Sequence, residues 1–205
     1  MNIKKRGAIF RMVLNASRLV GTASKGKYGF QQGNSVVEEN RAIFPIVKII
    51  NRKFYELVGT GFYISQEGIF ITAKHVLEDV FDDNRSQIHP IGILHFMEEG
   101  GYIARPIHWA WSSAVADISV GIAAPITNNK TGNLYFNKLL NLTGKKQEIG
   151  SSVVTYAYPN TSSVINNEKQ SLNFRPNFYD GLVKEFYPSG RDSTIMTWPC
   201  YMTDI

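Results

Sequence analysis

Short apolar runs separated by tight turns recur along most of this chain, and they constrain its fold more than any other feature. The first three runs are "AIFPIVKII", "FYELVGTGFYIS" and "IFITAKHV", divided by "NRK" and "QEG". They are rich in Ile, Val, Phe and Tyr, a composition typical of strands, and the turn residues between them favour antiparallel pairing. No internal repeat, long amphipathic helix or glycine-rich phosphate loop interrupts the pattern. The sequence therefore predicts an all-β fold with closed or sandwiched sheets.

Changes in composition divide the chain into four parts. Residues 1–35 end in "GTASKGKYGFQQGNS", which predicts a flexible or peripheral N-terminal extension. Strand-like runs occupy residues 36–125 and resume over residues 151–205. Between them, residues 126–150 are polar and show no clear strand alternation, so they are the predicted connection between two β-domains.

Charge and composition exclude several classes of function. The net charge is +5, from 22 Lys and Arg against 17 Asp and Glu, and no basic stripe with interleaved aromatic residues follows the N-terminal cluster. We therefore expect no nucleic-acid partner. No apolar run reaches the roughly 18 residues of a membrane span. His89, His95 and His108 have no Cys or carboxylate partners at ligand spacing, so neither a metal nor another cofactor is predicted.

The single cysteine and the N-terminus bear on location. Cys200 has no partner for an internal disulfide, so the fold must hold by packing alone. This fits a reducing compartment, and bacterial exported proteins can also lack disulfides. The N-terminus begins with basic residues, but Arg11 interrupts its apolar stretch, which is too short and polar for a usual signal peptide. These features favour a cytoplasmic protein over an exported one. They make no prediction about the oligomeric state.

Two polar residues stand at or within apolar runs, His75 at the end of one and Asp117 inside another. His75 ends the "IFITAKHV" run and precedes "VLEDVFDDN", which predicts one or two helical turns. Asp117 lies 42 residues further on and interrupts the apolar run "VADISVGIA". A carboxylate in such a run is costly to bury unless a group such as an imidazole N–H bonds to it. Taken singly, each residue also fits a structural position at a strand end or in a turn.

Together these segments resemble the trypsin-like serine peptidases of the chymotrypsin fold, especially disulfide-free bacterial members such as the high-temperature-requirement proteases. In that family a Gly-x-Gly-Phe strand precedes Thr-Ala-x-His, and an Ala-Asp-Ile/Leu segment supplies the aspartate. "GTGFYIS", "ITAKHV" and "ADISVGIA" match these motifs. The resemblance implies two antiparallel β-barrels, the second incomplete at the C-terminus. It also implies that His75 is the general base, that Asp117 orients it, and that the substrate is a protein or peptide.

The resemblance extends over about residues 43–205. "VVTYAYPN" is similar to the family's strand that ends in a Gly-x-Pro turn, although Ala157 replaces the glycine. "YDGLVKEFYPSGRD" is similar to the following Gly-x-Val strand and its loop, and "WPCYMTDI" to the strand that ends in Thr-Asp.

The family's nucleophilic serine, in a Gly-x-Ser-Gly loop, has no counterpart in this sequence. That loop follows the Thr-Asp pair in the family, and here Thr203-Asp204 is followed only by Ile205. We therefore expect the sequence to be a fragment of a serine endopeptidase that is inactive as it stands. The alternative is a catalytically dead protease-like domain that serves as a peptide-binding or effector-associated module. A third possibility is an unrelated β-barrel in which His75 and Asp117 never meet.

Three other residues are candidates for a substitute nucleophile, and none has the expected context. Ser189 lies in "YPSGR", a common turn sequence that precedes the last strand. Cys200 lies within the strand-like run "TWPCYMT", where a buried apolar role is expected. Ser193 has no supporting motif.

Overall fold

The structure is a computed structural model, and the residues that it describes are 18–21, 28–32, 35–37, 41–51, 54–78, 90–97, 101–128, 131–159, 161–166, 169–194 and 196–205. Almost all of its regular structure is β-strand, which confirms the predicted all-β class. Within the described residues, no helix has the length and apolar character that a membrane crossing requires.

A small antiparallel sheet precedes the main body. Its three strands, in the order β1-β2-β3, are β1 (Arg18–Gly21), β2 (Tyr28–Gln32) and β3 (Ser35–Val37). The N-terminal extension predicted over residues 1–35 therefore contains strands, and Phe30 of β2 is buried. The rest of that prediction lies outside the described residues.

Six strands form a closed antiparallel barrel in the order β4-β5-β6-β9-β8-β7. They are β4 (Ile43–Asn51), β5 (Phe54–Tyr63), β6 (Ile69–Thr72), β7 (Ile91–Phe96), β8 (Tyr102–Ser112) and β9 (Ser119–Ala123). Pairing of β4 with β7 closes the barrel, with Ile46 opposite Ile93. A short helix, α1 (Lys74–Glu78), follows β6.

Large aromatic side chains fill the barrel core. Phe44 lies 4.4 Å from Tyr63 and 5.7 Å from Phe70 between ring centroids, and all three are buried. Two glycines make room for these rings, because a Cβ on Gly61 would lie 2.7 Å from Phe44 and one on Gly121 would lie 2.3 Å from Phe70. Both distances are too short for a methyl group, so the core rings determine where glycine is needed.

The second half of the chain is more open. Its strands are β10 (Ser152–Ala157), β11 (Ser162–Asn166), β12 (Lys169–Asn173), β13 (Asn177–Tyr187) and β14 (Cys200–Thr203). Strands β10, β13 and β14 form one antiparallel sheet in that order, while β11 and β12 form a separate hairpin. The hairpin contacts the barrel through Gln170, whose side-chain amide accepts from the Tyr55 N–H at 2.6 Å and donates to its carbonyl at 2.9 Å.

The connection over residues 126–150 forms no strand in its described part. Thr127 and Leu134 pair as an isolated bridge, and Leu140 is a further bridge residue. It lies against the barrel, with Leu139 buried in the core. Asn137 is also buried and accepts a hydrogen bond from Arg105 Nη1 at 2.6 Å. The same guanidinium donates to the Tyr63 hydroxyl at 2.9 Å. This polar contact joins the connection to β5 and β8.

Candidate active site

His75 lies on α1, directly after β6. Val76 and Leu77 are buried in the barrel core and hold the helix against it, whereas the His75 side chain is 67 % exposed. The sequence predicted helical turns after His75, and the helix instead begins one residue before it and reaches Glu78. The later residues of that predicted helical segment lie outside the described residues.

The glycine before Thr60 allows α1 to approach β5 closely. A Cβ on Gly59 would lie 2.5 Å from a methyl carbon of Val76. The pairing of β4 with β5 also shifts register between Ile46 and Val47, so β5 carries a bulge at this point. The glycine therefore determines how closely the helix that carries His75 can pack on the barrel.

Asp117 is held in the loop between β8 and β9. The Ser113 N–H donates to the Ile118 carbonyl at 2.8 Å, and the Val115 N–H donates to the Ser113 hydroxyl at 3.2 Å. These bonds close the loop around the aspartate. They direct its carboxylate toward the first turn of α1.

The two predicted site residues meet. Asp117 Oδ2 lies 2.8 Å from His75 Nδ1, and Asp117 Oδ1 accepts the His75 backbone N–H at 3.0 Å. An ionised carboxylate can only accept, so the proton of a neutral imidazole must be on Nδ1, which leaves Nε2 as an acceptor. Burial acts to raise the pKa of Asp117, but the backbone and side-chain hydrogen bonds from His75 outweigh it and lower that pKa overall. The carboxylate is therefore ionised at neutral pH.

His75 and Asp117 line an open cleft of about 300 Å³. The other residues that line it are Lys74, Glu78, Ala114, Ala116, Met196 and Trp198. Met196 and Trp198 come from the segment before β14, so both halves of the chain contribute to the cleft. Neither residue was predicted from the sequence, because "STIMTWPCYMTDI" resembles one strand. The strand begins only at Cys200. Pro199 is the sequence signal for this start, because proline has no N–H to donate to a neighbouring strand.

The three candidate substitutes for the nucleophile do not line this cleft. Ser189 is exposed in the turn after β13, where Gly190 has a φ of +91° that favours glycine. Ser193 is also exposed, and Cys200 is half-buried on β14 opposite Tyr187.

Two of the remaining histidines lie on barrel strands. His95 is buried on β7, and His108 is exposed on β8. His89 lies outside the described residues. Among the residues that the structure describes, no three His, Cys, Asp or Glu side chains are grouped as metal ligands would be.

Comparison with known proteins identifies the fold. No family model and no curated protein matches the sequence. A solved structure of Deg5 matches with a TM-score of 0.50 at 14% identity, covering 81% of this chain and 70% of that one. The MamO protease domain from Magnetospirillum magneticum, in its apo form, has a TM-score of 0.47 at 12% identity, covering 80% and 71%.

The likeness to Deg5, together with the closed barrel, shows that this chain has the chymotrypsin-like fold of the trypsin-like proteases. The resemblance inferred from the sequence motifs is confirmed at the level of the fold. Identity this low establishes the fold alone.

Proposed function

We propose that the protein is a trypsin-like serine endopeptidase in which His75 is the general base and Asp117 orients it. The observation that carries this proposal is the 2.8 Å contact between His75 Nδ1 and Asp117 Oδ2 beside an open cleft. This contact leaves Nε2 as the proton acceptor of the imidazole. On a chymotrypsin-like fold, that is the arrangement with which a histidine activates a serine.

The pair performs two proton transfers. A serine hydroxyl placed about 3 Å from Nε2 gives its proton to His75 as its oxygen attacks the peptide carbonyl. The imidazolium that forms is stabilised by the Asp117 carboxylate, which stays ionised. His75 then gives the proton to the leaving amine, which breaks the peptide bond and leaves an acyl-enzyme for water to hydrolyse.

The sequence does not supply the nucleophilic serine that this mechanism requires. No Gly-x-Ser-Gly occurs in the 205 residues, and no Ser or Cys among the described residues lines the cleft. We therefore expect the 205-residue chain alone to hydrolyse no peptides. Incubation with a mixed peptide library and a fluorophosphonate probe tests this expectation. Labelling that His75→Ala abolishes would contradict it.

Sequencing the coding region past the codon for Ile205 tests the proposed enzyme directly. A Gly-x-Ser-Gly motif within about 15 codons, reckoned from usual loop lengths, would support it. A stop codon at that point would instead favour the non-enzymatic module.

In a chain that carries this serine, substitutions can separate the two roles. We expect His75→Ala to lower kcat by about 10⁶-fold and Asp117→Asn by about 10⁴-fold, with little change in KM. In Asp117→Asn, the side-chain NH₂ can face Nδ1, which then has to accept, so the proton moves to Nε2 and the base is lost. Glu78→Gln is the matched control, because Glu78 lines the same cleft but pairs with Lys74 at 3.4 Å. Equal losses in all three variants would overturn the assigned roles.

The second candidate is a peptide-binding module that uses the same cleft without hydrolysis. Two observations favour it, namely the apolar surface that Met196 and Trp198 provide and the lack of a nucleophile among the described lining residues. Peptide binding by the 205-residue chain, measured by calorimetry and weakened by Trp198→Ala, would support the module if the gene also stops after Ile205.

A further inference from the structure

A second cavity, of about 400 Å³, lies where the hairpin of β7 and β8 meets the second half of the chain. We call it the aromatic cavity. It is lined by Arg41, Phe96, Met97, Gly101, Tyr102, Tyr156, Tyr158, Leu172, Phe174 and Pro176. It shares no lining residue with the cleft that contains His75. Its volume lies within the range of small-molecule sites, roughly 300–1,000 Å³.

The walls of the aromatic cavity are rings that support one another. Phe174 makes edge-to-face contacts with Phe96, Tyr102 and Tyr158, at centroid distances of 5.4, 5.6 and 6.0 Å. Tyr158 is also fixed from behind, because its hydroxyl donates to the Ile43 carbonyl at 2.9 Å. Contacts of this kind hold the rings in defined orientations. A flat ligand would therefore meet a surface that is already formed, which lowers the entropy cost of binding.

The charged side chains that the structure describes at this site are cationic. Among the described residues that line the aromatic cavity, Arg41 is the single charged one. A smaller neighbouring cavity shares Arg41, Phe96 and Met97 and adds Lys138, another cation. His95 also lines that neighbour, and burial, followed by the charges of Arg105 and Arg41, lowers its pKa to about 4. The histidine is therefore neutral near pH 7, and Arg41 and Lys138 are the charged side chains among the described residues that line the two cavities.

Tyr102 offers a hydrogen-bond donor on the same wall. Among the described residues, none forms a hydrogen bond with its hydroxyl. Burial, and next the nearby Tyr55, raises the pKa of Tyr102, so the phenol keeps its proton at neutral pH. Tyr102 is half-buried. A partly desolvated donor gains free energy when an acceptor reaches it, and it gains more when that acceptor is charged.

We propose that the aromatic cavity binds a small planar aromatic ligand that carries one anionic group, such as an aromatic carboxylate. The ring packs among Phe96, Tyr102 and Phe174, and the anion lies toward Arg41. This site is independent of the proposed peptidase chemistry, because its residues and its ligand are different.

Binding of 1-naphthoate to the 205-residue chain tests the proposal, with 1-naphthamide as a neutral analogue of the same shape. Calorimetry should show saturable one-to-one binding of naphthoate, about tenfold tighter than that of the amide, the usual effect of one charge-assisted hydrogen bond. Arg41→Gln should lower the affinity for naphthoate to that for naphthamide and leave the affinity for naphthamide unchanged.

Arg175→Gln is the matched control. Arg175 lies between Phe174 and Pro176 in sequence but does not line the aromatic cavity, so its loss changes net charge equally without removing the proposed contact. We expect the Arg175 variant to bind like the parent chain. Tyr102→Phe, which keeps the ring and removes the hydroxyl, should weaken the binding of naphthoate more than that of naphthamide.

Three results would overturn the proposal: naphthoate that does not saturate at millimolar concentration, equal affinities for naphthoate and naphthamide, or equal losses in the Arg41 and Arg175 variants. Thermal unfolding of each variant would show whether it is folded. Because the readout is binding, the outcome does not depend on peptidase activity.

Discussion

The closed barrel and the second half of the chain are both antiparallel β-structure, but they bury their side chains to very different degrees. Of the ten largest fully buried side chains in the described residues, nine belong to β4–β9 and only Val183 belongs to the second half. Strand β11 is exposed along its whole length. Closure removes free strand edges from the barrel, whereas β10 and β14 are the edge strands of their sheet. The barrel therefore contributes most of the stability that packing provides.

The two sides of the cleft also come from regions that are packed to different degrees. His75 and Asp117 are held by the barrel, on α1 and on the loop between β8 and β9. Met196 and Trp198 come from the more open half. The proton-transfer pair is thus attached to the well-packed region, and the apolar wall that faces it is attached to the less packed one.

The largest stability contrast should come from truncating one phenylalanine in each region. Phe70→Ala empties a fully buried site and should lower the free energy of unfolding by about 3–5 kcal/mol. Phe186→Ala removes a half-buried ring that packs at a tilt against Tyr201, 4.8 Å between ring centroids, and should cost about 1 kcal/mol. Urea denaturation of both variants measures the difference. Equal losses would remove the contrast between the two regions.

The barrel should also show a pH dependence that comes from His95. Its pKa is lowered from 6.5 to about 4, chiefly by burial and then by Arg105 and Arg41. Between those two pH values the unfolded chain binds a proton that the folded chain does not, so stability falls as the pH drops through that window. The full loss is up to roughly 3 kcal/mol. Above pH 6.5 the histidine is neutral in both states and has no effect.

His95→Gln should remove this contribution. The urea midpoint of the variant should therefore fall less between pH 7 and pH 4 than that of the parent chain. His108→Gln is the control, because His108 is exposed on β8. If the His95 variant had the same pH profile as the parent chain, the buried histidine would not be the source.

Adding a methyl group in the core should have a smaller but measurable effect. Gly121→Ala forces the new Cβ against the Phe70 ring and should cost about 1–3 kcal/mol. Gly144→Ala is the control, since no heavy atom lies within 4 Å of its added Cβ. Combining Gly121→Ala with Phe70→Leu should recover part of the loss, and a double-mutant cycle from thermal unfolding would detect the coupling. Strict additivity would show that the two sites do not compete for space.

The smallest effect should come from a surface ion pair of the second half. Lys184 and Asp204 are 2.6 Å apart and both are 44% exposed. The Leu182 N–H, followed by Lys184, lowers the pKa of Asp204, so the contribution is present at neutral pH and is lost as the pH falls below 3.8. Asp204→Asn should shift the urea midpoint less than any variant above, because solvent screens exposed pairs. A shift as large as that of Phe70→Ala would mean that this sheet depends on the ion pair.

The strands could be predicted from the sequence because strand formation depends on local alternation and composition. "IFPIVKIIN" and "FYELVGTGFY" became β4 and β5 close to their predicted bounds. The segment before β14 was harder to predict, since Met196 and Trp198 are apolar residues of a strand-like run that face a cleft instead of a sheet. Their position depends on how the two halves pack, which no local pattern encodes.

The sequence by itself determined the all-β class and the two residues on which the proposed chemistry rests. The sequence pattern alone identifies a histidine at the end of a predicted strand and an aspartate within an apolar run. Only the tertiary structure decided that they lie 2.8 Å apart across a separation of 42 residues. The reason is the pairing of β6 with β9 in the closed barrel, which places Thr72 opposite Ser119. His75 follows Thr72 by three residues and Asp117 precedes Ser119 by two, so this pairing brings them together. The same packing formed the aromatic cavity from residues in distant segments of the chain.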